Sequence, residues 1–105
     1  MSRVNIPKIF KLFGNKIRVR WVSTLISTDR LYGRTDFVRF RIFLQSRKEG
    51  APLTRRVREQ AFWHETTHQI LSAIGENEFN DDEARVERLA QAIHQVLRTS
   101  KGDLQ

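Results

Sequence analysis

The hydrophobic pattern of the chain changes its period once, at a loop-forming segment over residues 46–52. Before this loop, residues 16–22 and 37–44 alternate apolar and charged side chains with a period of two, which is typical of half-buried strands. After it, apolar residues recur at helical spacing over about 53–74 and again over about 81–98. Because neither helix can bury its apolar stripe alone, the sequence predicts an α+β fold in which a small sheet is followed by two packed helices.

The strand-forming half predicts a short antiparallel sheet of two or three strands over about residues 16–45. Asp29 and Gly33 are turn-forming residues between its two clearest strands. The earlier segment 6–13 fits either a short amphipathic helix or an edge strand, and both interpretations stay open.

The helix ends carry recognisable signals. Pro52 or Thr54 can begin the first helix, and Gly75 can end it. Asn80 is expected as the N-cap of the second helix, which has acidic residues in its first turn.

The size and composition limit what the chain can be. Its 105 residues leave room for one small core, so a single domain over 1–105 is expected. The absence of cysteine excludes disulfides, iron–sulfur clusters and thiolate metal sites, so any metal ion must be bound by nitrogen and oxygen. No apolar run approaches the ~18 residues of a membrane span, and Lys8, Lys11 and Lys16 interrupt any signal-peptide core. We therefore expect a cytoplasmic protein without a membrane partner.

Charge is distributed unevenly along the sequence. Residues 1–58 carry 15 Lys and Arg against 3 Asp and Glu, whereas residues 59–105 carry 4 against 9. The basic half fits nucleic acid or an acidic protein as a partner, and it fits equally well a solvated face that keeps a small protein soluble. One functional hypothesis is therefore an arginine-rich nucleic-acid-binding module in which Trp21, Phe37 or Phe43 stacks on bases, although no named recognition motif is present.

The first helix carries an H-E-x-x-H motif at residues 64–68. Residues four apart lie on one helix face, so His64 and His68 can reach a single ion, and Glu65 can face a water molecule on that ion. Both histidines also fall within the apolar stripe, where packed histidines would be the simpler interpretation. Two inward imidazoles beside a carboxylate nevertheless need a partner, and a divalent cation satisfies them best.

A catalytic zinc site requires a third protein ligand and an open coordination position. Leu71 and Ile74 stand where the extended metzincin motif has glycine and histidine, so that type of site is excluded. The second helix offers Glu83, Glu87 and His94, of which His94 is interpreted as a surface or core histidine.

An H-E-x-x-H motif followed by a helix with the pattern E-x-x-x-D/E/N resembles the gluzincin-type zinc metallopeptidases. The chain is similar in particular to the very small zincin-like proteins of phages, the minigluzincins, over roughly residues 37–98. The matching run begins at Glu83, fifteen residues after His68. The resemblance implies a peptidase of the host cytoplasm that acts on polypeptides, with zinc on His64, His68 and Glu83 and with Glu65 as the general base.

The resemblance also implies that Glu87 orients a ligand histidine from behind. Because Glu87 replaces the more usual aspartate or asparagine, Glu83 and Glu87 could exchange roles as the third ligand. Asn80 and Glu83 also fit a capping box, in which Glu83 would only bind a backbone N–H of its own helix. The strand over 37–44 could form the edge on which an extended substrate pairs, or it could be an ordinary sheet edge guarded by arginines.

A third hypothesis is a catalytically silent interaction protein that zinc stabilises and chelation unfolds. Near the predicted site, Trp63 is expected to pack against the sheet. Tyr32 and Arg34 are candidates for stabilising an oxyanion, but no sequence spacing favours either one.

Overall fold

A computed structural model describes residues 5–23 and 32–100 of the chain. The α+β class is confirmed: the strands come first and the helices follow, and α1 packs on one face of a small sheet. The elements of the described residues are, in chain order, β1 (Ile9–Leu12), β2 (Asn15–Val22), β3 (Gly33–Asp36), β4 (Arg41–Gln45), β5 (Arg47–Lys48), β6 (Ala51–Pro52), α1 (Arg55–Ala73), α2 (Asn77–Asn80) and α3 (Glu83–Thr99).

Strands β1 to β4 form a mixed sheet in the order β1-β2-β4-β3, and β5 and β6 form a separate hairpin. Strand β1 is antiparallel to β2 and β3 is antiparallel to β4, but β2 and β4 run parallel, with Val19 opposite Ile42. The sequence predicted an antiparallel sheet of two or three strands. The observed sheet is mixed and has four strands, because Gly33 begins a strand of its own instead of forming a turn. Asp29, the other expected turn residue, lies outside the described residues.

The predicted strand over 37–44 begins only at Arg41. The Asp36 carboxylate accepts hydrogen bonds from the backbone N–H groups of Val38 and Arg39, both at 3.1 Å, and so holds the preceding residues in a turn. Strand β4 lies between β2 and β3, so the expectation that this strand forms an edge is wrong, and β3 is the edge strand instead. Within segment 6–13, the edge-strand interpretation is confirmed by β1.

The core lies between the sheet and α1. It consists of buried side chains from β2, β4 and α1: Ile17, Val19, Ile42, Leu44 and Phe62. Trp63 is partly buried against this cluster and meets the Phe62 ring edge to face, with centroids 5.1 Å apart, so its expected packing role is confirmed. This packing fixes which face of α1 remains available for other contacts.

The helix boundaries agree with the predicted ranges to within two residues. Thr54 caps α1 by accepting a hydrogen bond from the Val57 N–H at 3.3 Å. Gly75, with φ at 77°, directly follows the C-cap residue Ile74, so α1 ends at the predicted glycine. Asn80 does not cap the second long helix, because it ends the short helix α2, and Asp82 caps α3 instead. In the described part of the chain no helix combines the length and apolar character needed to span a membrane.

Candidate metal centre

Helices α1 and α3 bring together the three residues of the predicted ligand set. His64 and His68 lie one turn apart on α1 with their ring centroids separated by 4.9 Å. Glu83 is the first residue of α3, and its Oε1 lies 2.6 Å from His68 Nε2 and 3.6 Å from His64 Nε2. One ligand atom from each residue falls within 4.8 Å of the other two, so the group could hold a metal ion.

The outer nitrogens of both imidazoles have hydrogen-bond acceptors. His64 Nδ1 lies 3.1 Å from Glu87 Oε1, and His68 Nδ1 lies 2.5 Å from Asn80 Oδ1. These acceptors assign the ring proton to Nδ1 in each histidine, which leaves the Nε2 lone pair directed towards Glu83. Acceptors of this kind fix the tautomer and the ring orientation of metal-binding histidines.

His64 carries the most direct sign of a missing partner. The residue is 3% exposed, and its Nε2 is buried without a hydrogen-bond partner among the described residues. A buried polar nitrogen in that condition is costly, and a cation held between it and the Glu83 carboxylate would satisfy it. The donor set therefore fits a metal ion on the geometry of the protein alone.

The two glutamates of α3 occupy different positions. Glu83 lies inside the cluster, whereas Glu87 contacts His64 from the side away from it. The alternative capping role of Glu83 is not what the structure shows, because the Asp82 side chain accepts the hydrogen bond from the Arg85 N–H at 3.2 Å. Glu83 itself is 57% exposed.

His94 lies outside the cluster. It is 3% exposed, and its Nε2 lies 2.7 Å from Oε1 of the buried Glu59. The other Glu59 oxygen accepts a hydrogen bond from Arg55 Nε at 3.0 Å. His94 is therefore a satisfied core histidine, one of the two interpretations that the sequence allowed.

Glu65 is buried beside the cluster, and the edge strand β3 covers it. Burial is the largest of the effects that together raise the pKa of Glu65 to about 7; His64 opposes it, and the nearby Glu83 and Glu87 carboxylates contribute smaller increases. A Cβ at Gly33 would lie only 2.7 Å from Glu65 Cγ. Only glycine therefore lets β3 approach the Glu65 side chain this closely.

Two cavities meet at Gly33 and Glu65. The first, of about 170 Å³, lies beside His64 and is lined by Tyr32, Val57 and Ala61 among others. The second, of about 380 Å³, lies beside His68 and is lined by Arg34, Phe37 and Asn80 among others. Tyr32 and Arg34, which the sequence left unassigned, thus line different cavities that share Glu65.

Sequence reasoning missed two residues of this site. Asn80 was expected at a helix start, and no pattern around it indicates that its side chain contacts His68. Gly33 was expected in a turn. A glycine within a strand marks a close approach of other groups, so Gly33 would have been identified had β3 been recognised.

Comparison with protein-family models, with curated proteins and with solved structures finds no match to this chain.

Proposed function

We propose that the chain is a zinc-dependent metallopeptidase. Its three candidate ligands are two imidazole nitrogens and one carboxylate oxygen, a set that suits zinc and leaves a fourth position for water or substrate. The observation that carries the proposal is the buried Nε2 of His64, which has no hydrogen-bond partner among the described residues and lies 3.6 Å from Glu83 Oε1, while Glu87 contacts Nδ1. A helix with merely packed histidines would not leave that nitrogen without a partner.

When bound, zinc supplies a Lewis acid that polarises the scissile carbonyl and makes an attacking water more acidic. The chain's own contribution is the Glu65 carboxylate, which sits next to the ligands at the meeting point of the two cavities. As the oxygen of the water forms a bond to the carbonyl carbon, the Glu65 carboxylate accepts a proton from that water. It then gives that proton to the amine nitrogen as the carbon–nitrogen bond breaks.

The proposed substrate is an extended polypeptide. Strand β3 pairs with β4 on one side, and no strand among residues 5–23 and 32–100 pairs with its other side. Gly33 at the start of β3 borders both cavities, so a peptide added to this edge would run past Glu65. Edge pairing positions a backbone without depending on its side chains, which suits cleavage of an unfolded segment.

Metal analysis and cleavage of an unstructured test protein examine the proposal together. Purified protein should contain about one equivalent of zinc, and Glu65→Gln should keep the metal while losing cleavage by at least about 10²-fold, as expected for removal of a general base. His64→Ala should lose both metal and cleavage.

His94→Ala is the matched control, because His94 is as buried as His64 but lies outside the cluster. It should retain zinc. Less than half an equivalent of zinc in the native protein, unchanged in His64→Ala, would overturn the proposal. Full zinc with no cleavage by the native protein would leave only a metal-stabilised binding protein.

A further inference from the structure

The four-stranded sheet has a strongly basic face on the side away from α1, called the outer face below. Side chains alternate along each strand, so the neighbours of the buried core residues point to this face. Among the described residues it carries six cations, one aromatic ring and a single carboxylate: Lys11, Lys16, Arg18, Arg20, Arg34, Arg41, Phe43 and Asp36. Apart from Arg34, which also lines the cavity beside His68, these cations take no part in the proposed metal site, whose candidate ligands lie on α1 and α3.

Like charges are placed directly opposite each other across the strands of the outer face. Lys11 pairs with Lys16 between β1 and β2, and Arg18 pairs with Arg41 between β2 and β4. Direct like-charge neighbours destabilise a sheet. An anionic ligand placed between these cations would offset their mutual repulsion, because each cation would attract the ligand.

Few of these charges are neutralised within the described part of the chain. The Asp36 carboxylate lies 3.6 Å from the Arg41 guanidinium and 3.3 Å from that of Arg39, so it forms ion pairs only at one end of the outer face. Arg18 and Arg20 are exposed, and no carboxylate of the described residues lies within ion-pair distance of either. Two guanidinium groups without an ion-pair partner in the described ranges therefore point from the same side of β2.

An aromatic ring lies among these cations. The guanidinium carbons of Arg34 and Arg41 lie 5.4 and 5.5 Å from the centroid of the Phe43 ring. On the other neighbouring strand, Arg20 is the register partner of Phe43. A partly exposed ring surrounded by arginines is the arrangement on which unpaired bases stack while cations hold the backbone.

We propose that the outer face binds single-stranded nucleic acid, with phosphates on Arg18 and Arg20 and a base stacked on Phe43. Cations two residues apart on a strand are roughly 6.8 Å apart, a separation comparable with that of successive phosphates in an extended strand. A duplex is recognised by a helix or ribbon that enters a groove, and the flat outer face presents neither. An acidic protein would use the charges but would not need the ring.

Fluorescence anisotropy with a labelled oligothymidine of about 20 nucleotides tests the proposal across roughly 50 to 300 mM salt. Binding should weaken linearly on a double-logarithmic plot. Arg18→Gln with Arg20→Gln should reduce the magnitude of that slope by about 1.4, because each lost phosphate contact removes about 0.7. The control Arg56→Gln with Arg88→Gln removes the same charge from exposed positions on α1 and α3 and should leave the slope unchanged.

Phe43→Leu keeps an apolar side chain in β4 and removes the ring. It should weaken binding by about fivefold or more without altering the salt slope, because stacking releases no counterions. Equal effects of the two arginine pairs, tighter binding of a duplex of the same length, or equally tight binding of polyglutamate would each overturn the proposal. Circular dichroism confirms that every variant is folded before its binding is interpreted.

Discussion

Gly33→Ala tests whether the close approach of β3 fixes the Glu65 carboxylate. The backbone of Gly33 is not left-handed, so alanine is conformationally allowed there. Its Cβ would nevertheless lie 2.7 Å from Glu65 Cγ and 3.2 Å from Oε2, whereas ordinary contact begins at 3.4 Å. The buried glutamate must therefore shift by about 0.7 Å, and this repacking is expected to cost about 1–3 kcal/mol.

A displacement of that size should lower kcat/KM by about tenfold to 10²-fold, because proton transfer depends closely on distance. Zinc content should stay at the native value, since the three atoms nearest to the new Cβ all belong to Glu65, which is not one of the three candidate ligands. The assay compares initial rates of cleavage of an unstructured protein with metal content measured on the same preparation. Native activity in Gly33→Ala would refute the inference that the close approach of β3 fixes the Glu65 carboxylate in its working position.

A double-mutant cycle separates this steric effect from activity altogether. In a Glu65→Ala background the side chain that meets the new Cβ is absent. Gly33→Ala should then be neutral or stabilising by up to about 1 kcal/mol, because alanine restricts the unfolded chain. The expected coupling energy from denaturant unfolding is therefore at least about 1 kcal/mol. The same cost in both backgrounds would mean that Gly33 is required for another reason.

Three further predictions concern the metal and its surroundings. Glu87→Ala and Asn80→Ala should each weaken zinc binding by about 10 to 100-fold, because each removes the hydrogen-bond acceptor that orients a candidate ligand histidine. Competition with a chromogenic chelator measures the affinity, and an unchanged affinity would contradict this prediction. His94→Ala should lower the free energy of unfolding by about 1–3 kcal/mol, since the buried Glu59 loses its 2.7 Å partner, whereas an unaltered denaturation midpoint would speak against it. Zinc at 100 times its Kd should add about 2.7 kcal/mol and raise Tm by roughly 10–20 °C, and a Tm indifferent to chelation would disprove metal binding.

The fold class and the two long helices were predictable because their signals are local. The change of hydrophobic period identified both halves, and Thr54 and Gly75 fall at the predicted ends of the first helix. The parallel pairing of β2 with β4 was not predictable in this way. The direction of β4 relative to β2 depends on whether a further strand lies between them in sequence, and that strand is β3. The four residues Gly33–Asp36 are too few and too polar to show a period of two.

The candidate site shows the same division. His64, His68 and Glu65 were found because a fixed spacing on one helix determines which side chains are neighbours. Glu83 required a second helix to pack in the right orientation, and the resemblance rather than the spacing indicated it. Asn80 could not be found, because its contact with His68 depends on the course of the short helix α2 between two longer ones.

Both imidazoles belong to α1 while Glu83 begins α3, so an ion held among them would join two helices through residues, His68 and Glu83, that are fifteen positions apart in sequence. The bound ion would stabilise the folded state by its binding free energy, because its ligands come together only there, whereas a covalent bridge restricts the unfolded chain. This chain has no cysteine with which to make a permanent one. If the proposed site holds its ion, the lifetime of the protein against degradation would follow the supply of metal in the cell, and starvation for the ion would remove the protein as well as the proposed activity.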